Sequence, residues 1–408
     1  MGQAADPARV RTEVSDGPRG SNQSGMRAHN ERAVLALIRQ TGAMAKADIA
    51  RRTGLSAQTV SVIMRGLEAD GMLVRGAPVR GKIGQPSVPM SLAADGAFFL
   101  GLQVDRRNLQ LVLTDFLGHV HQQLGVRHPY PTPDGTVDFA LDAIARMKSE
   151  LSAEHRSRIA GMGIALPFQL WSWAEALGVE DADIAGWKER DIAAEIGAAA
   201  DFPVFMCNDA SAACAAELVF GDQDKPRDFL YAFVGYFVGG GLVLDNALYT
   251  GPGGNAAALG SMCIPDPDGQ PRQLMDVASL ATLDRTLSTA GHSPLIWDSP
   301  ENWNLPPLIL ERWLDEASKG MADAIMLSVC MIDVQQVLID GWMPAQLRAE
   351  LVRRVKHHLS GDTLAGVAPP DVREGSVGPD ARALGAASLP LCERFLINHT
   401  SIQKGPPR

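Results

Sequence analysis

The chain has 408 residues, 46% hydrophobic and 21% charged, which allows two or three soluble folding units with sizeable cores. Its net charge of −10 is unevenly placed. Residues 1–90 hold 13 Lys and Arg against 7 Asp and Glu, so a basic module precedes a strongly acidic remainder, as expected when only one end meets phosphate. Five scattered cysteines without a Cys-x-x-Cys pair argue against a disulfide framework or zinc ribbon and point to a reducing cytoplasm.

Residues 1–25 are polar and glycine-rich, lack the apolar run of a signal peptide, and are expected to be a disordered leader. Arg27 to Gln40 reads as a first helix with Val34, Leu35, Leu37 and Ile38 inward and Arg27, Arg32 and Arg39 outward. Thr41-Gly42 ends it, and Lys46 to Arg52 forms a short second helix. Thr53-Gly54-Leu55 makes a sharp turn, and Ser56 is placed to cap a third helix. In that helix Val60, Ile63, Met64 and Leu67 form one apolar stripe. The opposite face carries Gln58, Thr59, Ser61 and Arg65, all able to hydrogen-bond base edges or phosphates. A strand at Met72 to Val74 then leads to a glycine-rich tip with Arg80, Lys82 and Gln85, suited to a wing that reaches a neighbouring backbone or minor groove. Residues 26–92 are thus expected to be a winged helix-turn-helix that binds double-stranded DNA, followed by a short linker at Ala93 to Gly96.

From Phe98 the texture changes to an α/β body spanning 97–408. Strands are expected at Phe98 to Val104, at Leu109 to Asp115, after the turn Leu117-Gly118-His119, at Ile159 to Pro167 running into a loop, and at Pro203 to Cys207, with helices at Val137 to Leu151 and Ala210 to Phe220. The run from Phe229 to Leu244 is too short to span a membrane and is broken by Gly235 and Gly239 to Gly241, so it reads as two buried strands around a turn. Helices are expected to dominate after Asp276. The pairs His119/His121 and His357/His358 lack the accompanying cysteine or carboxylate of a metal site, and no metal or cofactor is expected.

These stretches together resemble the ROK family (repressor, open reading frame, kinase), in its regulator branch, from about Arg27 to Phe395. The resemblance rests on ARRTGLSAQTVS with the wing GKIGQP, on GLQVDRRNLQLVLTDFLG, on GMGIALP, on FPVFMCNDASAAC with GYFVGGGLVLDNALYTGPGGNAAALGSM, and on ALGAASLPL. It implies two actin-like (sugar kinase, RNase H-like) lobes around a sugar cleft, in a homo-oligomer, dimer or tetramer. The chain departs from the kinase pattern. Where those enzymes carry Asp-x-Gly-x-Thr, Gln103 replaces the acid and Asp105 the glycine, and Gly235-Tyr236-Phe237-Val238-Gly239 replaces Gly-Thr-Gly-x-Gly. The family's zinc cysteines are missing, and its sugar-contacting glutamate and histidine have become Ala258 and Ser261.

Asn208 and Asp209 keep the pair that sits at the sugar in the kinases, and Asn255 is a third polar candidate for the ligand. Asp209 also suits the N-cap of the following helix. The reading is a cytoplasmic repressor of carbohydrate uptake or catabolism genes that senses a sugar or sugar phosphate and is not an enzyme. The alternatives are a sugar kinase with unusual phosphate contacts, and a constitutive or protein-gated DNA-binding regulator with a vestigial cleft.

Overall fold

The computed structural model describes residues 23–78, 87–174, 178–222, 224–266, 268–292, 296–301, 303–361 and 366–396. At the amino end, α1 (Gln23–Thr41), α2 (Lys46–Thr53) and α3 (Ala57–Ala69) precede an antiparallel pair, β1 (Leu73–Arg75) with β2 (Met90–Leu92). The turn between α2 and α3 is set locally: Gly54 has φ 71°, and the Ser56 side chain accepts from Thr59 N. Val60, Ile63, Met64 and Leu67 are buried, as the spacing requires.

The body is one topology used twice. In lobe I, β3 (Phe98–Val104), β4 (Asn108–Thr114), β5 (Val120–Arg127), β6 (Ile159–Leu166) and β7 (Val204–Asn208) lie in the order β5-β4-β3-β6-β7. In lobe II, β8 (Phe229–Val234), β9 (Val238–Leu244), β10 (Ala247–Tyr249), β13 (Gln336–Gly341) and β14 (Asp371–Glu374) lie in the order β10-β9-β8-β13-β14. In each sheet the first three strands are antiparallel and the last two join in parallel. A small hairpin, β11 (Cys263–Pro265) with β12 (Pro271–Gln273), stands beside lobe II. Helices dominate the stretch after Asp276, and β13 and β14 lie between them. β13 and β14 were missed there because short strands between long helices carry little periodic signal of their own.

Helix α4 (Pro133–Glu150) begins four residues before the expected Val137, with Thr132 as N-cap and Pro133 in the first turn. Helix α5 (Asp209–Phe220) follows β7 directly, and α6 (Ala381–Phe395) returns from lobe II to pack on lobe I. α5 and α6 cross closely: a Cβ on Gly385 would stand 1.8 Å from the Ala212 carbonyl oxygen, and one on Gly163 would stand 1.9 Å from that of Ala386. A larger side chain at Gly385 would force α6 from α5, and one at Gly163, on β6, would force α6 from the sheet.

The DNA-binding module and lobe I share one core. Val34, Ile38, Met64 and Leu73 belong to the same buried cluster as Phe99, Phe116, Leu391 and Phe395. The segment read as a linker is a 3-10 turn fixed on both sides: Ala93 N donates to Met72 O, and Phe116 N donates to Ala94 O. Arg158 reaches across to the Asp95 carbonyl at 2.7 Å. Arg39, expected to point outward, instead turns into this junction, where it donates to the Phe116 carbonyl and lies 5.2 Å from the Phe116 ring centre. Burial lowers its guanidinium to about 10, so it remains charged at neutral pH.

Candidate functional site

A cavity of about 500 Å³ opens between the lobes. Asn208, Asp209 and Asn255 all line it, and so do Ala258 and Ser261. Neutral hydrogen-bonding groups, Gln169, Ser172 and Gln273, complete much of its polar wall. The volume accommodates a monosaccharide, and donors and acceptors around an open cleft suit a polyhydroxylated ligand.

The cap on α5 belongs to Asn208, not to Asp209. The Asn208 Oδ1 accepts from Ala210 N at 3.0 Å and from Ser211 N at 3.1 Å. Asp209 occupies the first helical position, its Oδ2 3.6 Å from an Arg382 Nη. A capping role alone therefore does not account for the Asp209 carboxylate.

Asp105 is buried in an ion pair. Its Oδ2 accepts from Arg382 at 2.6 Å, with the two side chains 8% and 4% exposed. Burial alone would raise the Asp105 carboxyl, but Arg382 and then Arg106 hold it below the usual carboxylate range. For Arg382, burial is outweighed by Asp105 and Asp209, and its guanidinium is held above its ordinary value. The neighbouring turn is filled by rings: Phe237 stacks on Trp173 with centroids 4.5 Å apart, and Tyr236 lies 5.4 Å from Trp297. Sequence reasoning marked the substitutions at 105, 236 and 237 but not the groups that meet them, Arg382 and Trp173, because each lies far away along the chain.

On α3, Gln58 and Arg65 are exposed, and Ser61 is half-buried. Thr59 is half-buried too and its hydroxyl is engaged with that of Ser56 at 2.8 Å, so it also braces the helix start. Val62, 45% exposed, shares the face of Gln58 and Arg65 and was not singled out from sequence. An exposed β-branched residue between polar ones was the available signal. Arg80, Lys82 and Gln85 lie outside the described residues. Among the described residues no group of three or more His, Cys, Asp or Glu is arranged to hold a metal ion, and no helix is long and apolar enough to cross a membrane.

Fold and cleft define a two-lobed, actin-like body fused to a winged helix-turn-helix. The winged helix-turn-helix DNA-binding model matches residues 27–74, and the ROK family model matches residues 100–285. The body is thus similar to ROK family proteins, and a winged helix-turn-helix DNA-binding domain precedes it. It is 25% identical over 370 residues to the uncharacterised protein y4fQ of Sinorhizobium fredii, covering 90% of this chain and 91% of that one. It is 22% identical over 244 residues to the xylose repressor of Bacillus subtilis, covering 60% of this chain and 62% of the repressor's length. Among solved structures, a ROK family transcriptional regulator described as a homolog of the E. coli MLC protein superposes with a TM-score of 0.67 at 20% identity, over 93% of this chain and all of that one. The ROK hexokinase of Thermus thermophilus superposes with a TM-score of 0.52 at 21% identity, over 76% of this chain and all of that one.

Proposed function

We propose that this protein is a DNA-binding transcriptional repressor of carbohydrate uptake or catabolism genes whose cleft senses a sugar without phosphorylating it. The observation that carries the reading is the core shared by the DNA-binding module and lobe I. A ligand that draws the lobes together then changes where α3 stands without needing a separate relay. Gln58, Thr59, Ser61 and Arg65 read the major groove, and Arg80, Lys82 and Gln85 serve the wing. Asn208, Asp209 and Asn255 bind hydroxyls of a sugar or sugar phosphate.

The non-catalytic part of the reading is supported by the Asp105–Arg382 pair and the Phe237 ring, which occupy turns that phosphoryl transfer needs open to phosphates. The xylose repressors among its relatives support the repressor assignment. The protein acts in the cytoplasm as a homo-oligomer, dimer or tetramer, because paired modules are what two operator half-sites require.

The test is fluorescence anisotropy of the purified protein on DNA from upstream of its own gene and neighbouring transport genes, with and without a panel of sugars. Specific binding that one sugar weakens supports the reading. Specific binding indifferent to every sugar removes the sensor, and sugar-dependent ATP turnover abolished by Asp209→Asn replaces it with a kinase.

A further inference from the structure

Four charged groups meet at the back of the cleft, and they do not share their contacts equally. Arg382 sits between Asp105 at 2.6 Å and Asp209 at 3.6 Å and takes the contacts of both. Arg106 forms no ion pair and no side-chain hydrogen bond among the described residues, and its Nε is buried without a partner. It is only 5% exposed, yet it lines the cavity. Its guanidinium carbon lies 4.3 Å from the Phe237 ring centre, 5.0 Å from that of Trp173 and 5.7 Å from that of Tyr236.

Aromatic rings stabilise the flat faces of a guanidinium but leave its in-plane N–H groups unsatisfied. Leaving the buried Nε–H without an acceptor is costly, and a neutral hydroxyl supplies no countercharge. Burial pulls the Arg106 guanidinium below its ordinary value although Asp209 and Asp105 act the other way, whereas Arg382 is held above it. The Arg382 Nε is buried without a partner too, but Arg382 has two carboxylates within 4 Å and Arg106 has no ion pair among the described residues. A planar fork held by rings at the edge of a sugar-sized cavity matches two parallel oxygens of one anionic group.

We infer that the cleft takes a monosaccharide bearing an anionic group, a carboxylate or a phosphate, and that Arg106 is the residue that selects it. The inference rests on the sugar-sensing reading and narrows it. Asn208, Asp209 and Asn255 hold the hydroxyls, while the Arg106 fork holds the anion. The two aspartates do not exclude such a ligand, because Arg382 engages both.

The experiment is calorimetric titration and thermal shift of the full chain with matched compounds: glucose, glucuronate, gluconate and glucose 6-phosphate, then xylose and xylonate. At least one acidic compound is expected to bind about tenfold or more tightly than its neutral parent. Arg106→Gln should bring the ratio of acidic to neutral affinity down to near one. Arg106→Lys, which keeps the charge and loses the fork, should restore part of it. The carboxylate and phosphate arms tell the two sources of the anion apart. A neutral parent that binds as tightly as its acids, or an Arg106→Gln protein that keeps the preference, overturns the inference and leaves the sugar sensor standing. No binding by any compound, neutral or acidic, overturns the sensor and the inference together. If Arg106→Gln does not fold, the wild-type panel and Arg106→Lys still decide the matter.

Discussion

Arg382 and Asp105 stand 277 residues apart in sequence and 2.6 Å apart in space, both almost fully buried. Such a pair contributes little net stability when intact, because desolvation offsets the attraction, but removing one partner leaves a buried charge alone. Arg382→Met is expected to cost about 3–5 kcal/mol in urea unfolding, and Arg382→Met with Asp105→Leu to recover much of that loss. A loss below about 1 kcal/mol for the single variant would show that water reaches Asp105.

Acid should destabilise the protein through carboxylates whose pKa is depressed on folding. Asp115 is one: burial would raise it, but bonds from His119 N, the His121 and His119 rings and Leu117 N hold it down. Asp105 is another. A depressed folded pKa gives stability that is complete above the unfolded value, near 3.9, and is lost as pH falls through the folded value. Unfolding free energy should therefore fall below about pH 4, with a shallower decline in Asp115→Asn. Identical acid limbs for the variant and wild type would remove Asp115 from the account.

Asn208 and Asp209 are adjacent but should separate by assay. Asn208→Ala removes the α5 cap and is expected to cost about 1 kcal/mol, read as a lower midpoint in denaturant. Asp209→Asn keeps the cap and the shape and leaves Arg382 its nearer partner Asp105, so its main effect should appear as weaker sugar binding. The opposite assignment of the two phenotypes would return the cap to Asp209.

DNA binding offers a second separation. Gln58→Ala and Val62→Ala are each expected to lose about 1–3 kcal/mol on the cognate operator and much less on random DNA. Replacing Arg80 and Lys82 together should weaken all sequences alike and reduce the salt dependence by about two counterions. Variants at 58 or 62 that weaken every sequence equally would place α3 on the backbone rather than on bases.

What was legible from sequence was what is decided within a few residues. Ser56 and Gly54 fix the helix-turn-helix locally, and the alternation after Phe98 announces an α/β body. The Asn208-Asp209 pair marked the cleft, but either side chain suits a cap, and only the backbone bend decides which one accepts. Arg39 looked like a solvent-facing helix residue because its acceptor, the Phe116 carbonyl, lies 77 residues away. The aromatic surround of Arg106 draws on Trp173, Tyr236 and Phe237, a grouping that no local spacing can reveal.

The buried cluster that runs from Val34 and Ile38 through Phe116 to Phe395 has a practical side. Cutting the chain near Ala93 would not release a ready-made DNA-binding cassette. It would bare one wall of an aromatic core and strip Arg39 of its acceptor, leaving a fragment prone to aggregate. Chimaeras that carry this specificity onto another sensor should therefore transplant β3, β4 and the closing helix Ala381–Phe395 together with the winged module. The heritable unit of operator choice in this chain is larger than the part that touches DNA.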